Sequence, residues 1–286
     1  MKYLILIISF TNFYCYGQER PAYSLFNTEG KQVRYEKMIQ ELEKADVVFF
    51  GEQHNDPISH WMELQVMKSL YKKNNHLLLA MEMFEADDQI ILSEYLTGVI
   101  EERHLLSDAK VWDNYKTDYK SLVEFAKEHK LPVVASNIPR RYANLVYRKG
   151  IQALDSLPPE AKLWIAPLPF VIDLELPGYK SMIASMGPHA RAGTAENMAR
   201  SQASKDATMA YFILKNIGGQ VYHINGAYHS QNGEGIIWYL KKEKPDIKIA
   251  TIHVAEQDDI EKLHDSNKNA ADFIICVPSD MTKTYE

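Results

Sequence analysis

Val47-Val48-Phe49-Phe50-Gly51-Glu52-Gln53-His54 decides how the chain is read. Four apolar residues, the length of a short buried strand, run into a glycine turn that carries a carboxylate, an amide and an imidazole. The plan recurs along the sequence. Leu77 to Met81 leads into Glu82-Met83-Phe84, and Pro132 to Ala135 into Ser136-Asn137-Ile138-Pro139-Arg140. Val221 to Ile224 leads into Asn225-Gly226-Ala227-Tyr228-His229, and Ile249 to Val254 ends near Glu256. Between these runs, apolar residues recur at helical spacing in Tyr35 to Lys44, Ile58 to Lys72, Asp87 to Leu96, Tyr119 to His129, Arg141 to Arg148 and Ile236 to Lys242. Strands alternating with helices of this length predict βαβ crossovers, hence an α/β fold of three layers, α/β/α, around a mainly parallel sheet. In such a sheet ligands bind beyond the carboxyl ends of the strands, and every one of the polar turns falls there.

The 286 residues are 46% hydrophobic, ample for a sizeable core, and the formal net charge of −6 offers no basic field to a phosphate backbone. Nucleic acid is therefore a poor match as a partner. Residues 1–17 read as an export signal: Lys2 starts it, Tyr3 to Phe10 is an apolar run too short to span a bilayer, and Gly17 marks a cleavage point before Gln18. Lipidation at Cys15 is the competing reading, but Tyr14 stands where a small residue normally precedes an acylated cysteine. Residues 18–286 then form one domain in the periplasm or at the envelope, with Cys276 as its single cysteine, a small buried hydrophobe in the strand-like run Phe273 to Val277. The stretch up to about Gly30 reads as irregular. From about Gly150 to Gly193 the rhythm breaks at Pro158-Pro159, Pro167, Pro169, Pro177 and the loop Met186-Gly187-Pro188-His189-Ala190, which reads as a helical insertion or lid. A long helix follows from Thr194, itself a candidate cap, to about Asn216.

Each chemical residue has a functional and a bland reading. Glu52 and His54, two apart after a tight glycine turn, supply either metal ligands or a base with its orienting partner; alternatively they are a structural pair, with His54 or Asp56 capping the next helix. Glu82 lies inside an apolar run, where a carboxylate must be paired, protonated or functional. Asn137 and Arg140 stand where a strand should end, Asn137 doubling as a turn former before Pro139. His229 repeats the logic of His54, whereas His223, inside its strand, reads as a packed core histidine. His60, one turn into its helix, faces the same mouth or the surface. Gln202 and Asp206 share a helix face from which Asp206 could orient Arg140 or a histidine, or which is simply solvated. His189 sits on a loop that could close over a ligand or lie on the surface. Tyr115 and Tyr119, with Trp112, make an aromatic patch that packing also explains.

Taken in order, Gly51-Glu52-Gln53-His54, Ala80-Met81-Glu82-Met83-Phe84 with Gln89, Trp112, Asn137-Ile138-Pro139-Arg140, Met186-Gly187-Pro188-His189, Gln202 through Asp206 to Ala210, and Gly226-Ala227-Tyr228-His229 through Gly235 resemble the ChaN family of haem-binding proteins. That family lies in a superfamily with TIKI-type metalloproteases and erythromycin-esterase-like proteins. The resemblance covers about residues 45 to 240. It implies haem as ligand, a role in haem or iron acquisition at the envelope, an outer-membrane haem-uptake receptor as partner, and a homodimer. It departs from the family in the context of Cys15 and in Pro188, inserted into a Gly-Met-His pattern.

The leading expectation is an exported haem-binding protein. Its cleft at the carboxyl end of the sheet is lidded by the Gly150 to Gly193 region, a Tyr or His (Tyr115, His54, His189 or His229) donates to iron, and Arg140 meets a propionate, with Asn137, Gln202 and Asp206 around them. The rival is a hydrolase in which Glu52, His54 and His229 hold a divalent metal ion and Glu82 acts on its bound water. A third class is an adaptor of a haem-uptake system with a vestigial site.

Overall fold

The structure is a computed structural model describing residues 21–187 and 193–285. The export signal, Cys15 and His189 lie outside the described residues. Seven strands form one sheet in the order β1-β7-β6-β2-β5-β3-β4. They are β1 (Ser24–Asn27), β2 (Val47–Glu52), β3 (Leu78–Glu85), β4 (Val133–Asn137), β5 (Val221–Gly226), β6 (Ile249–Gln257) and β7 (Phe273–Pro278). Every pairing is parallel except that of β1 with β7.

The period of two along the strands builds the layers. Val48, Phe50, Leu79, Met81, Tyr222 and Ile224 point to one face and pack with α1 (Tyr35–Leu42), α2 (Pro57–Lys73), α3 (Gln89–Leu96), α4 (Glu102–Asp108) and α5 (Lys120–Glu128). Val47, Phe49, Leu78, Ala80 and Val221 point to the other and meet α9 (Thr194–Asn216) and α10 (Ile236–Glu243). Between β4 and α9 run α6 (Arg140–Lys149), the short α7 (Pro159–Lys162) and α8 (Pro177–Ser185). α8 rests on α9 through Tyr179, Ala199 and Ala203. No helix among the described residues is long and apolar enough to cross a membrane.

Three local expectations are corrected. The stretch before Gly30 contains β1, whose Phe26 fills a small cluster with Ala255, Ile274 and Cys276; two apolar residues were too few to register as a strand. Thr194 is the first residue of α9, while Gly193, at φ 78, occupies the cap position without a side-chain bond. On α2 the apolar pattern places Trp61 inward, yet Trp61 is 51% exposed against Tyr23, and Ser59, His60 and Glu63 are buried in its place. Asp56 does cap α2, accepting from the Ser59 amide at 2.7 Å. Cys276 is free and buried, burial pushing its thiol up to about 12.

β4 is an edge strand, and its edge is closed by one side chain. The Gln89 amide donates to Val133 O at 3.0 Å and accepts from Ala135 N at 2.8 Å, as a neighbouring strand would. Replacing Gln89 with Leu leaves both backbone groups buried and unpaired, which should lower unfolding stability by about 1–3 kcal/mol in urea denaturation.

Candidate functional site

Parallel pairing brings the two glycine-histidine motifs side by side, because Gly51 is in register with Asn225 and Glu52 with Gly226. β3 lies beyond β5, and its register to β4 shifts between Met81 and Glu85, so regular pairing is interrupted around Glu82, whose side chain reaches β5. There Glu82 Oε2 accepts from the Gly226 amide at 2.9 Å. Gly226 is required by close approach: a Cβ on it would stand 2.7 Å from His54 Nε2. The carboxyl ends of β2, β3 and β5 thus gather Glu52, His54, Glu82 and His229 around one glycine.

Two carboxylate-histidine systems result. In the first, His54 Nδ1 meets Glu52 Oε1 at 2.5 Å, and Tyr119 OH donates to the same oxygen at 2.7 Å. Glu52 is buried; burial opposes its charge, but its neighbours Glu63, His54 and His60 outweigh it and hold the carboxyl well below the usual range. Burial pulls His54 down, and Glu52 more than restores it. The His54 side chain is 37% exposed, with its ring edge-on to Trp112 at 5.0 Å.

In the second, His229 is clasped from both sides. Its Nδ1 lies 2.5 Å from Asp206 Oδ1 and its Nε2 3.3 Å from Glu82 Oε1, while Tyr179 OH of α8 donates to Asp206 Oδ2 at 2.5 Å. Burial disfavours the imidazolium, but Glu82 and Asp206 outweigh burial and push its pKa up to about 10. Glu82 is held well below the carboxylate range, where burial is overcome by His229, Lys205 and His54. The signs give a pH dependence. The raised His229 contributes stability in full below its ordinary value of 6.5 and loses it as pH rises through about 10. The lowered Glu82 contributes above its ordinary 4.5 and loses that as the solution is acidified. The stability difference between the native chain and Asp206→Asn, followed by urea denaturation, should therefore be largest between about pH 4.5 and 6.5 and shrink toward pH 10.

A cleft of about 530 Å³ opens over these groups, lined also by Met182, Lys205, Tyr228 and His253. A larger groove of about 1070 Å³ adjoins it and shares Trp112 and Arg140. Arg141 is paired with Asp87 at 2.6 Å, whereas Arg140 is exposed and its guanidinium enters no ion pair among the described residues. Gln202 lines the cleft with a buried Oε1 that lacks a partner among the described residues.

Several expectations need correction. The metal set Glu52, His54 and His229 is not assembled: among the described residues the donor atoms of these three do not all come within 4.8 Å of one another, and Glu52 instead groups with His60 and Glu63. Tyr115 is no ligand: it is 2% exposed, packs against Phe84 at 6.1 Å in the core, and burial pushes its hydroxyl far above its ordinary value. Asn137 braces rather than binds, donating to the backbone oxygen of Glu82 at 3.0 Å. The aromatic patch splits, with Trp112 in the cleft, Tyr119 on Glu52 and Tyr115 inside. Asp206 orients a histidine, not Arg140. His223, as its place in the strand suggested, is a core residue between Asn225 and Ser136, kept neutral by burial with a pKa of about 4. Sequence reading missed Tyr179, Lys205, Met182, Tyr228 and His253; the helical insertion marked the region of the first but not its partner.

A family model described as haem-binding uptake, Tiki superfamily, ChaN matches residues 38–240. The chain belongs to the ChaN family. Among solved structures, ChaN of Campylobacter jejuni with cofacially bound haem superposes with a TM-score of 0.69 at 19% identity, covering 88% of this chain and 96% of that one. An erythromycin esterase in its open conformation gives 0.52 at 11% identity over 90% and 98%, and a Bacillus cereus protein gives 0.51 at 10% over 85% and 90%. At these identities the likeness is one of fold. No curated protein matches the sequence significantly.

Proposed function

We propose that the protein binds haem in the joined cleft and groove and, as an exported protein, handles it at the cell envelope. The observation that carries this reading is the shared wall of Trp112 and Arg140 between the two cavities, an aromatic face beside a cation that has no ion pair among the described residues, at the carboxyl end of the sheet. The donors fit the ligand. His54 is held at Nδ1 by a carboxylate, as metal-binding histidines usually are, which leaves Nε2 toward the cleft as the iron donor. Arg140 and Lys205 suit propionates, and Trp112, Val111 and Tyr285 offer apolar contact. Haem is here the cargo, so no chemistry is required of the chain beyond binding and release. Family membership and the haem-bearing Campylobacter relative support the reading. His54→Ala should move the Soret band of the haemin complex away from that of the native complex; identical spectra would remove His54 from the iron.

On this reading, residues 1–17 are cleaved, Gln18 begins an unlipidated chain, an outer-membrane haem-uptake receptor supplies haem, and the chain works as a homodimer. Mass spectrometry of envelope material tests the first part, and a lipidated Cys15 would refute it. A hydrolytic second reading is favoured by one observation. His54, oriented by ionised Glu52, is a general base facing a cleft across which His229 is a protonated acid. Turnover of model esters that disappears in His54→Ala would establish it.

A further inference from the structure

Behind the cleft, His60 and Glu63 form a buried cluster with Glu52, whose Oε1 holds His54; neither reading uses His60 or Glu63. One donor atom from each lies within 4.8 Å of the others, and the residues are 1%, 5% and 0% exposed. His60 Nε2 approaches the His54 carbonyl at 3.1 Å, an acceptor only, so this nitrogen carries a proton. In the neutral ring Nδ1 then holds the lone pair, and Nδ1 points at Glu52 Oε2, 3.3 Å away, and at Glu63 Oε2, 3.5 Å away. These separations are long for hydrogen bonds. They match the edges of a coordination tetrahedron, because ligands bonded to zinc at about 2.0–2.1 Å lie roughly 3.3–3.4 Å apart.

Two orphaned atoms make the same point independently. Glu52 Oε2 and Glu63 Oε1 are buried carboxylate oxygens without a hydrogen-bond donor among the described residues, and two carboxylates side by side in a dry interior need a positive charge or a proton between them. The surrounding groups hold the donors in place, as outer partners do at metal sites. Tyr119 OH fixes Glu52 Oε1 at 2.7 Å, and Asp118 Oδ2 stands 3.4 Å from His60 Nε2.

We propose that Glu52 Oε2, His60 Nδ1 and the Glu63 carboxylate bind a divalent cation of the zinc class, at a structural site behind the cleft wall that Glu52 forms. Glu63 Oε1 makes a bidentate contact available as a fourth bond. The ion neutralises both carboxylates and fixes Glu52, and through it the ring of His54.

The test uses the full chain stripped with a chelator, and zinc as the probe. Calorimetry and elemental analysis should give one zinc per chain, with a raised melting temperature. An anomalous difference peak at the zinc edge, in crystals of the native chain, should fall between the three side chains. His60→Gln and Glu63→Gln should each weaken binding beyond the about 10–100-fold that loss of an outer-shell partner costs, whereas Glu82→Gln, in the cleft, should keep it. Because the native crystal answers independently, failure of either variant to fold leaves the result interpretable. No stoichiometric zinc, an anomalous peak in the cleft instead, or undiminished binding by both variants would each overturn the proposal and leave a shared proton as the charge between the carboxylates.

Discussion

His229→Ala should cost about 3–5 kcal/mol of unfolding stability at neutral pH, the loss expected when one member of a buried charged group is removed. The imidazolium is the positive charge between Glu82 and Asp206, which are 3% and 0% exposed. Without it, both carboxylates must take up protons or admit water. His54→Ala is the contrast. Its ring is 37% exposed and Glu52 keeps Tyr119 as donor, so the cost should stay near 1 kcal/mol. Urea denaturation of both variants measures the difference; equal losses would show that the clasp around His229 is not what ties β3, β5 and α9 together.

The second large effect concerns ligand affinity. Arg140→Glu should weaken haemin binding by about 10–100-fold, since a charge-assisted hydrogen bond to an anionic group is worth about 1.5–3 kcal/mol and the replacement repels where the native residue attracts. Stability should hardly change, because Arg140 is exposed and unpaired among the described residues. The affinities come from fluorescence quenching of the native chain and the variant. Unchanged affinity would move the propionates away from the shared wall of the two cavities.

The sheet was legible because Val47 to Phe50, Leu77 to Met81, Val221 to Ile224 and Phe273 to Val277 are apolar on both faces, which only a strand covered by helices on both sides needs. The convergence of Glu52, His54, Glu82 and His229 followed from their shared place after such runs. Pairing was not legible. That β5 inserts between β2 and β3 and sets Glu52 against Gly226 is decided by long-range contacts, to which hydrophobic pattern is blind. Glu63 and Asp118 were missed because a charged residue on an amphipathic helix looks like a solvated one until its partners are known. Trp61 misled for the complementary reason: it offers the largest apolar side chain on α2, and the polar side chains of His60 and Glu63 take the inward positions. Tyr115 and Tyr119, four apart, looked alike in sequence, and a single π-helical turn from Tyr115 to Tyr119 sends one into the apolar core and the other to Glu52.

The most direct measurement is a haemin titration of the purified full chain followed in the Soret region. Haem held against Trp112 by His54 and Arg140 predicts a shifted Soret band that saturates at a fixed whole-number ratio of haem to chain, with loss of tryptophan fluorescence in step. A band that grows without saturation and stays at the position of free haemin would contradict the account.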